Sequence, residues 1–210
     1  DPAGHPGGLV PMAFGGRACV AALTLRKLVL VGTEGDAAGR TLAEYPWQTH
    51  FANNIVVPTP FADGVMLSSA YNLKKTVLLR PEDGRLRAEW ESRVFSGVAP
   101  PVVVGNRAVF PYSRIRCLDL ADGGREWVRV RCGIDASCVV TGDGYLVVYG
   151  DGALGVHALQ DGLRSAPREL ARVGGLCRRE EAWPHVAVTG GRIYCRERRG
   201  KLRCFRLVGD

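Results

Sequence analysis

The chain has 210 residues, of which 46% are hydrophobic, and a formal net charge of +7. This is enough to form the core of one large all-β domain or two small ones. No stretch reaches the roughly 18 to 20 continuous apolar residues of a transmembrane helix, so no membrane span is predicted. The 27 Gly, against about 7% of residues in an average chain, predict many tight turns between short strands.

The first two predicted units each hold short apolar runs separated by turn residues. In the first, 8–47, a strand enters a Gly15-Gly16 turn and two more strands follow before a Gly/Asp-rich loop. The second, 48–91, has turns at Asp63-Gly64 and Asp83-Gly84 and ends at Trp90. Apolar runs of strand length between such turns predict antiparallel meanders.

The third unit, 92–130, shows the pattern most clearly. Its segment PPVVVGNRAVFPYSRIRCLDLADGGREWVRV contains four apolar runs divided by Gly105-Asn106, Ser113-Arg114 and Asp122-Gly123-Gly124. The glycines and polar pairs are turn residues, so four antiparallel strands are predicted. Trp127 lies at the same place in its unit as Trp90, and both are predicted to be core between units.

The fourth unit, 131–173, repeats the turn glycines but has Arg168 and Glu169 in place of the late Trp. The fifth, 174–210, ends after its third predicted strand. A period near 40 residues with four short strands per unit is typical of β-propeller blades. A β-sandwich is the alternative. Either the N-terminal segment completes the fifth unit and closes a small ring, or the chain, a single propeller domain or fragment over 1–210, is the C-terminal part of a larger propeller of seven or eight blades. The missing start of the chain favours the second.

Several motifs resemble the pyrroloquinoline-quinone-like (quinoprotein-type) β-propeller repeats. They are the segment Pro101–Arg107 (PVVVGNR), Arg116–Asp119 (RCLD), Ala121–Gly124 with Trp127, and the Pro46-Trp47-Gln48-Thr49 junction followed by Asn54. The resemblance implies blades of this family, and the chain is closer to its BamB-like, non-dehydrogenase branch. It implies a periplasmic or extracellular bacterial scaffold that binds a protein or small ligand at its end loops or channel.

The alternative within this family is a fragment of a quinone-dependent dehydrogenase, which would bind pyrroloquinoline quinone and calcium. That cofactor lies between a Trp and two adjacent cysteines in the dehydrogenases. The seven cysteines of this chain include no adjacent pair. No cofactor is therefore expected under the preferred hypothesis. Uncovered faces of the terminal blades predict association between molecules.

The candidate ligand-binding residues lie at and near the junction between the first and second units, where loops of a rigid scaffold gather. Buried packing and satisfaction of backbone groups at strand ends are the alternative roles. The candidates are Trp47, Thr49, His50, Asn53, Asn54 and Tyr71.

No catalytic residue and no metal site are predicted. The four His are far apart in the sequence, and the Asp residues that could suggest calcium ligands lie beside turns, without the spacing of a calcium loop. These Asp residues are 119, 122, 143, 151 and 161.

The last hairpin has two further features. A two-residue turn at Arg199-Gly200 would place Cys195 opposite Cys204, either as a disulfide or as two small apolar residues packed on one sheet face. The basic residues around this turn (Arg196, Arg198, Arg199, Lys201, Arg203 and Arg206) are interpreted as solvated. No nucleic-acid-binding motif accompanies them, so no nucleic-acid partner is predicted.

Overall fold

A computed structural model describes residues 8–207 of the chain. These residues form 18 strands and no α-helix, arranged in five antiparallel sheets in chain order. The strands of the first two sheets are β1 Val10–Phe14, β2 Arg17–Leu23, β3 Lys27–Gly32 and β4 Thr41–Pro46, followed by β5 Thr59–Phe61, β6 Gly64–Ser69, β7 Lys75–Glu82 and β8 Arg85–Ser92. The third sheet consists of β9 Val102–Val104, β10 Arg107–Asp119 and β11 Arg125–Gly133. The strands of the last two sheets are β12 Ser137–Val140, β13 Tyr145–Gly150, β14 Ala153–Ala158 and β15 Arg168–Val173, followed by β16 Ala187–Thr189, β17 Arg192–Arg196 and β18 Leu202–Arg206. Short 3-10 turns occur at Gly35–Ala37, His50–Ala52 and Asp161–Leu163.

Each sheet is an up-and-down meander in which every strand pairs with the next along the chain. The predicted fold class is confirmed: the chain is all-β and consists of successive sheets of the β-propeller blade type. The first, second and fourth sheets have four strands each. The fifth has three within the described residues, as its sequence pattern predicted.

The third sheet differs in detail from the prediction. Its strand β10 continues through the predicted Ser113-Arg114 turn, so the sheet is assigned three strands. The first part of β10 pairs with β9 and the part from Ser113 onward pairs with β11. Ser113 has a left-handed backbone with φ of 60°, and both it and Arg114 are exposed. The predicted turn residues thus mark the point where β10 changes partner.

Buried side chains fill the space between the first and second sheets and between successive sheets from the third to the fifth. All six residues of β6 are buried, and β13 and β14 are buried along nearly their whole length. Strands that are covered on both faces need no polar alternation. One core cluster joins the first and second sheets, another the third and fourth, and another the fourth and fifth.

The described residues fall into two compact units that divide between Pro100 and Pro101. The first unit contains the first two sheets, and the second unit contains the other three. Within the second unit, Trp127 of β11 is buried and its indole Nε1 donates a hydrogen bond of 2.7 Å to the carbonyl oxygen of Leu163, beyond β14. Trp127 is therefore core between the third and fourth sheets. Trp90 of β8 is equally buried in the first unit.

The predicted pairing of Cys195 with Cys204 is wrong. Cys195 lies opposite Arg203, and Tyr194 lies opposite Cys204. The turn contains three residues rather than two, because Glu197 N–H bonds to the Lys201 carbonyl and Gly200 takes a φ of 98°. A one-residue shift in register moves a side chain to the other sheet face. Cys195 is accordingly buried, Cys204 is exposed, and both thiols are free.

Candidate functional site

The linker between β4 and β5 carries five of the six candidate residues, and Tyr71 lies in the turn between β6 and β7. A 3-10 turn over His50–Ala52 bends this linker immediately after the first sheet. Three of the candidates are buried and fasten the linker, and one, His50, is exposed at an open depression. The other two are half-buried.

Asn54 is the centre of the buried group. Its side chain is 2% exposed, and its amide donates hydrogen bonds to the carbonyl oxygens of Thr24 at 2.7 Å and Trp47 at 3.0 Å. The buried Thr49 hydroxyl donates to Asn54 Oδ1 at 3.0 Å. Both ends of the Asn54 amide thus have partners inside the protein. This residue binds the linker to the β2–β3 turn, which is the structural alternative given above.

Trp47 also belongs to the buried group. Its side chain is in the core cluster that joins the first two sheets, and its backbone N–H donates a hydrogen bond to the Arg26 carbonyl at 2.8 Å. The Lys75 ammonium lies 6.0 Å from the Trp47 ring centroid, at the outer limit of a cation–π contact. The Trp47 ring therefore packs the core and does not present a face to a ligand.

The linker and the β6–β7 turn line an open depression of about 690 Å³. His50 is exposed there, and its backbone N–H donates a 2.7 Å hydrogen bond to Asn72 Oδ1 in the β6–β7 turn. This bond ties the linker to the neighbouring hairpin across the depression. The lining residues are Gln48, Thr49, His50, Phe51 and Asn72.

Phe51 is a highly exposed aromatic residue of the depression, and the sequence did not predict it as a candidate binding residue. Its side chain is 88% exposed, and its backbone is left-handed with φ of 57° and ψ of 27°. Its ring meets the His50 ring edge to face, with centroids 6.2 Å apart. A bulky residue in this backbone region costs about 1–2 kcal/mol. The exposed ring gains almost no burial energy on folding, so core packing does not explain a phenylalanine at this position.

Asn53 and Tyr71 are half-buried and do not line the depression. Asn53 N–H bonds to the His50 carbonyl at 3.3 Å and closes the 3-10 turn. Tyr71 N–H bonds to Ser69 Oγ at 3.2 Å at the end of β6. Both residues shape the turns that border the site.

A second depression of about 470 Å³ shares Asn72 with the first. It is bordered by charged side chains, among which Lys75 and Glu91 form an ion pair at 2.7 Å. The exposed surface around Phe51 therefore continues into a polar rim. The lining residues are Asn72, Leu73, Lys74, Lys75, Glu91, Ser92 and Arg93.

The aspartates beside turns and the buried thiols have structural roles. Asp119 Oδ1 accepts from Ala121 N–H at 2.9 Å and Asp122 Oδ1 from Gly124 N–H at 2.7 Å, as expected of turn residues. Burial raises the pKa of the Cys132 and Cys195 thiols to about 12, so both are protonated at neutral pH and are poor nucleophiles. Within 8–207, no three His, Cys, Asp or Glu side chains converge as metal ligands.

The residues present do not fit the cofactor of the dehydrogenase alternative. A quinone held between an indole and two adjacent cysteines needs a Cys-Cys pair, and the sequence contains none. The two depressions described above contain no tryptophan, no thiol and no carboxylate cluster among their lining residues.

Fold comparisons agree with this description of the chain as successive β-propeller-type sheets. No family model matches the sequence, and no curated protein matches it. Among solved structures, the chain is similar to PorZ, an essential surface component of the type-IX secretion system of Porphyromonas gingivalis, with a TM-score of 0.56 and 13% identity over 93% of this chain and 26% of PorZ. It also matches BamB from Moraxella catarrhalis, with a TM-score of 0.47 and 12% identity over 94% of this chain and 71% of BamB.

The match to PorZ shows a shared fold, since 13% identity carries no more than that. The chain spans about a quarter of PorZ. No helix among the described residues is both long and apolar enough to cross a membrane.

Proposed function

We propose that this protein is a non-catalytic β-propeller scaffold of the bacterial envelope that binds a segment of a partner protein at the His50-Phe51 loop. The observation that carries the proposal is Phe51 itself. An aromatic ring that is 88% exposed, on a left-handed backbone at the rim of a 690 Å³ depression, has the properties of a binding anchor. Exposed aromatic residues contribute a large share of the binding energy in many protein interfaces.

The loop is held in place before a partner arrives. The His50 N–H bond to Asn72 and the buried Asn54 amide fix both sides of the turn that presents Phe51. A loop that is already ordered loses less conformational entropy on binding, which favours affinity. A partner would place an apolar side chain against the Phe51 ring and polar groups against Asn72 and His50.

The envelope location is supported by the fold shared with PorZ, which is a bacterial surface component. The quinoprotein-type repeat motifs support the same location. Membership in that repeat family, with blades completing a larger propeller, is part of this proposal. The sequence predicted a protein or a small ligand as the partner. The depression is open, which suits a polypeptide segment better than an enclosed small molecule.

A photo-crosslinking amino acid placed at position 51 tests the proposal in envelope fractions of the organism that makes the protein. We expect a discrete crosslinked protein that weakens when Asn72→Ala releases the loop. The matched control places the same amino acid at Leu170 of β15, which is also an exposed apolar residue. Identical products from positions 51 and 170, or no product at position 51, would overturn the proposal.

A further inference from the structure

The positive charge of the protein is concentrated in one part of the chain. Residues 176–207 contain nine Arg or Lys and three Glu, so they carry six of the seven net positive charges of the sequence. This segment comprises the fifth sheet and the linker that leads into it. The rest of the chain is nearly neutral, and a surface of one sign attracts partners of the other.

A groove of about 300 Å³ lies within this segment, lined by Trp183, Pro184, Arg196 and Arg198. Trp183 is 37% exposed, and its indole Nε1 donates a 2.7 Å hydrogen bond to the Glu180 carbonyl. The only donor of the indole is therefore satisfied within the protein. The ring has a fixed orientation and offers apolar surface together with the neighbouring proline.

The hairpin turn that carries the arginines is joined to the same linker. Arg198 N–H donates to the Glu181 carbonyl at 2.8 Å, and the Arg199 side chain pairs with the Glu181 carboxylate at 2.8 Å. These contacts hold the β17–β18 turn beside Trp183. The groove is therefore built from two elements that are bonded to one another.

Two other arginines of this hairpin have acidic partners, whereas the two arginines of the groove do not. Arg199 pairs with Glu181, and Arg203 lies 3.9 Å from Glu197. Among residues 8–207, neither Arg196 nor Arg198 forms an ion pair, and both are exposed. Each guanidinium can donate two parallel hydrogen bonds to one carboxylate in a bidentate pair.

We propose that this groove binds an acidic segment of a partner protein. One carboxylate pairs with Arg196 and another with Arg198, while an apolar side chain between them packs on Trp183 and Pro184. This surface is independent of the Phe51 loop, which belongs to the other compact unit. Either surface can fail its test without affecting the other.

A short acidic peptide fits this surface better than a long polyanion. A nucleic acid strand needs a continuous basic track that follows successive phosphates. Here the carboxylates of Glu181 and Glu197 interrupt the basic residues, and the groove holds two guanidinium groups beside one indole. That arrangement matches two side-chain carboxylates on either side of an apolar residue.

The test uses a short fluorescent peptide in which Asp residues flank a Leu-Pro pair, with fluorescence anisotropy as the readout. The comparison peptide has Asn in place of each Asp. We expect the acidic peptide alone to bind, with at least about tenfold weaker binding to the R196Q/R198Q variant. Trp183→Ala should weaken binding by a similar factor without changing the net charge.

The control variant R17Q/R168Q removes the same charge from exposed arginines in the first and fourth sheets. It should change the affinity less than about twofold, because the local groove and not the net charge recognises the peptide. Equal loss in both double variants, equal binding of the Asn peptide, or no binding of the acidic peptide would overturn the proposal. Tighter binding of single-stranded DNA or an anionic polysaccharide, lost in R196Q/R198Q, would also overturn it.

Discussion

The linker after the first sheet and the linker after the fourth sheet are each fastened by a buried polar side chain. The first side chain acts as a hydrogen-bond donor and the second as an acceptor. Asn54 fastens the first by donating hydrogen bonds to carbonyl groups. Asp135, which is 1% exposed, fastens the second by accepting hydrogen bonds. Its carboxylate oxygens accept from Asp151 N–H at 2.9 Å and Ala182 N–H at 2.8 Å. Each buried side chain thus satisfies backbone groups that the meander leaves unpaired.

The backbone groups around the two positions explain why they carry different residues. The β2–β3 turn offers carbonyl oxygens to Asn54, so an amide donor is needed there. The β13–β14 turn and the linker before β16 offer N–H groups to Asp135, so a carboxylate, which only accepts, is suitable.

Both linkers also present an aromatic residue near the fastening point. Phe51 lies three residues before Asn54, and Trp183 directly follows Ala182, which Asp135 binds. The surroundings of the two rings differ, since neutral polar residues border Phe51 and two arginines border Trp183. We infer that the buried polar group sets the rigidity of each surface and that the residues around the ring set its partner.

Removing the carboxylate of Asp135 should have the largest effect. Asp135→Ala leaves the N–H groups of Asp151 and Ala182 without their partner, and the Ala182 group is buried. An unpaired buried donor costs about 1–3 kcal/mol, so we expect a loss of about 3 kcal/mol in unfolding free energy. Urea denaturation measures this loss, and hydrogen exchange at the Asp151 and Ala182 amides should accelerate.

Two variants serve as controls for this prediction. Asp143→Ala removes an exposed carboxylate from the same sheet region and should change stability by less than about 0.5 kcal/mol. Asp135→Asn keeps one acceptor oxygen and should lose less than Asp135→Ala. A stability of Asp135→Ala equal to that of the wild type would show that water replaces the carboxylate.

Asn54→Ala should have the next largest effect, a loss of about 2 kcal/mol, because buried carbonyl groups lose their donor. Asn54→Asp sharpens the comparison with Asp135. A carboxylate cannot donate to the Thr24 and Trp47 carbonyls, so Asn54→Asp should be no more stable than Asn54→Ala in urea denaturation at neutral pH. Stability restored by Asp at position 54 would refute the donor role of Asn54.

A third buried polar side chain, His157, has no such partner and should make stability depend on pH. The ring in β14 is fully buried, and neither nitrogen has a hydrogen-bond partner among the described residues. Burial lowers the pKa of His157, with the Glu169 carboxylate opposing and Arg172 assisting this shift. Burial also lowers the pKa of His185. The unfolded chain therefore binds protons more readily than the folded protein.

Because the unfolded chain binds protons more readily, lowering the pH reduces the stability of the folded protein. Stability is fully present above the unfolded pKa of 6.5 and is lost as pH falls below it, by at most about 1.4 kcal/mol per pH unit for each histidine. Urea denaturation between about pH 7.5 and 5.5 should show this decline. His157→Leu should reduce the slope and leave the part due to His185. An unchanged slope in His157→Leu would contradict the prediction.

The sequence predicted the sheets well because their signals are local. The glycine and aspartate turns and the apolar runs between them define each meander without reference to distant residues. The register of the last hairpin was missed because Arg198-Arg199-Gly200 is compatible with turns of two or three residues. The φ of 98° at Gly200 selects the longer turn. That single residue difference separated Cys195 from Cys204.

The candidate site was predicted only in part, because burial depends on contacts far away in the sequence. Thr49 and Asn54 were found as a polar cluster, but their orientation depends on Thr24, thirty residues before Asn54. Phe51 carried no signal, since an apolar residue in a linker is usually core. Its exposure follows from the left-handed turn, which no local residue preference indicates.

The smallest expected effect separates binding from folding at Phe51. Phe51→Gly relieves the left-handed backbone, which glycine adopts freely, but it also increases the entropy of the unfolded chain. We expect a net gain of about 0.5 kcal/mol, whereas Phe51→Ala keeps the strained backbone and gains nothing. Urea denaturation compares the two variants, and both should lose the partner of the His50-Phe51 loop. A destabilised Phe51→Gly would mean that the ring contributes to folding, and the case for a binding anchor would then fail.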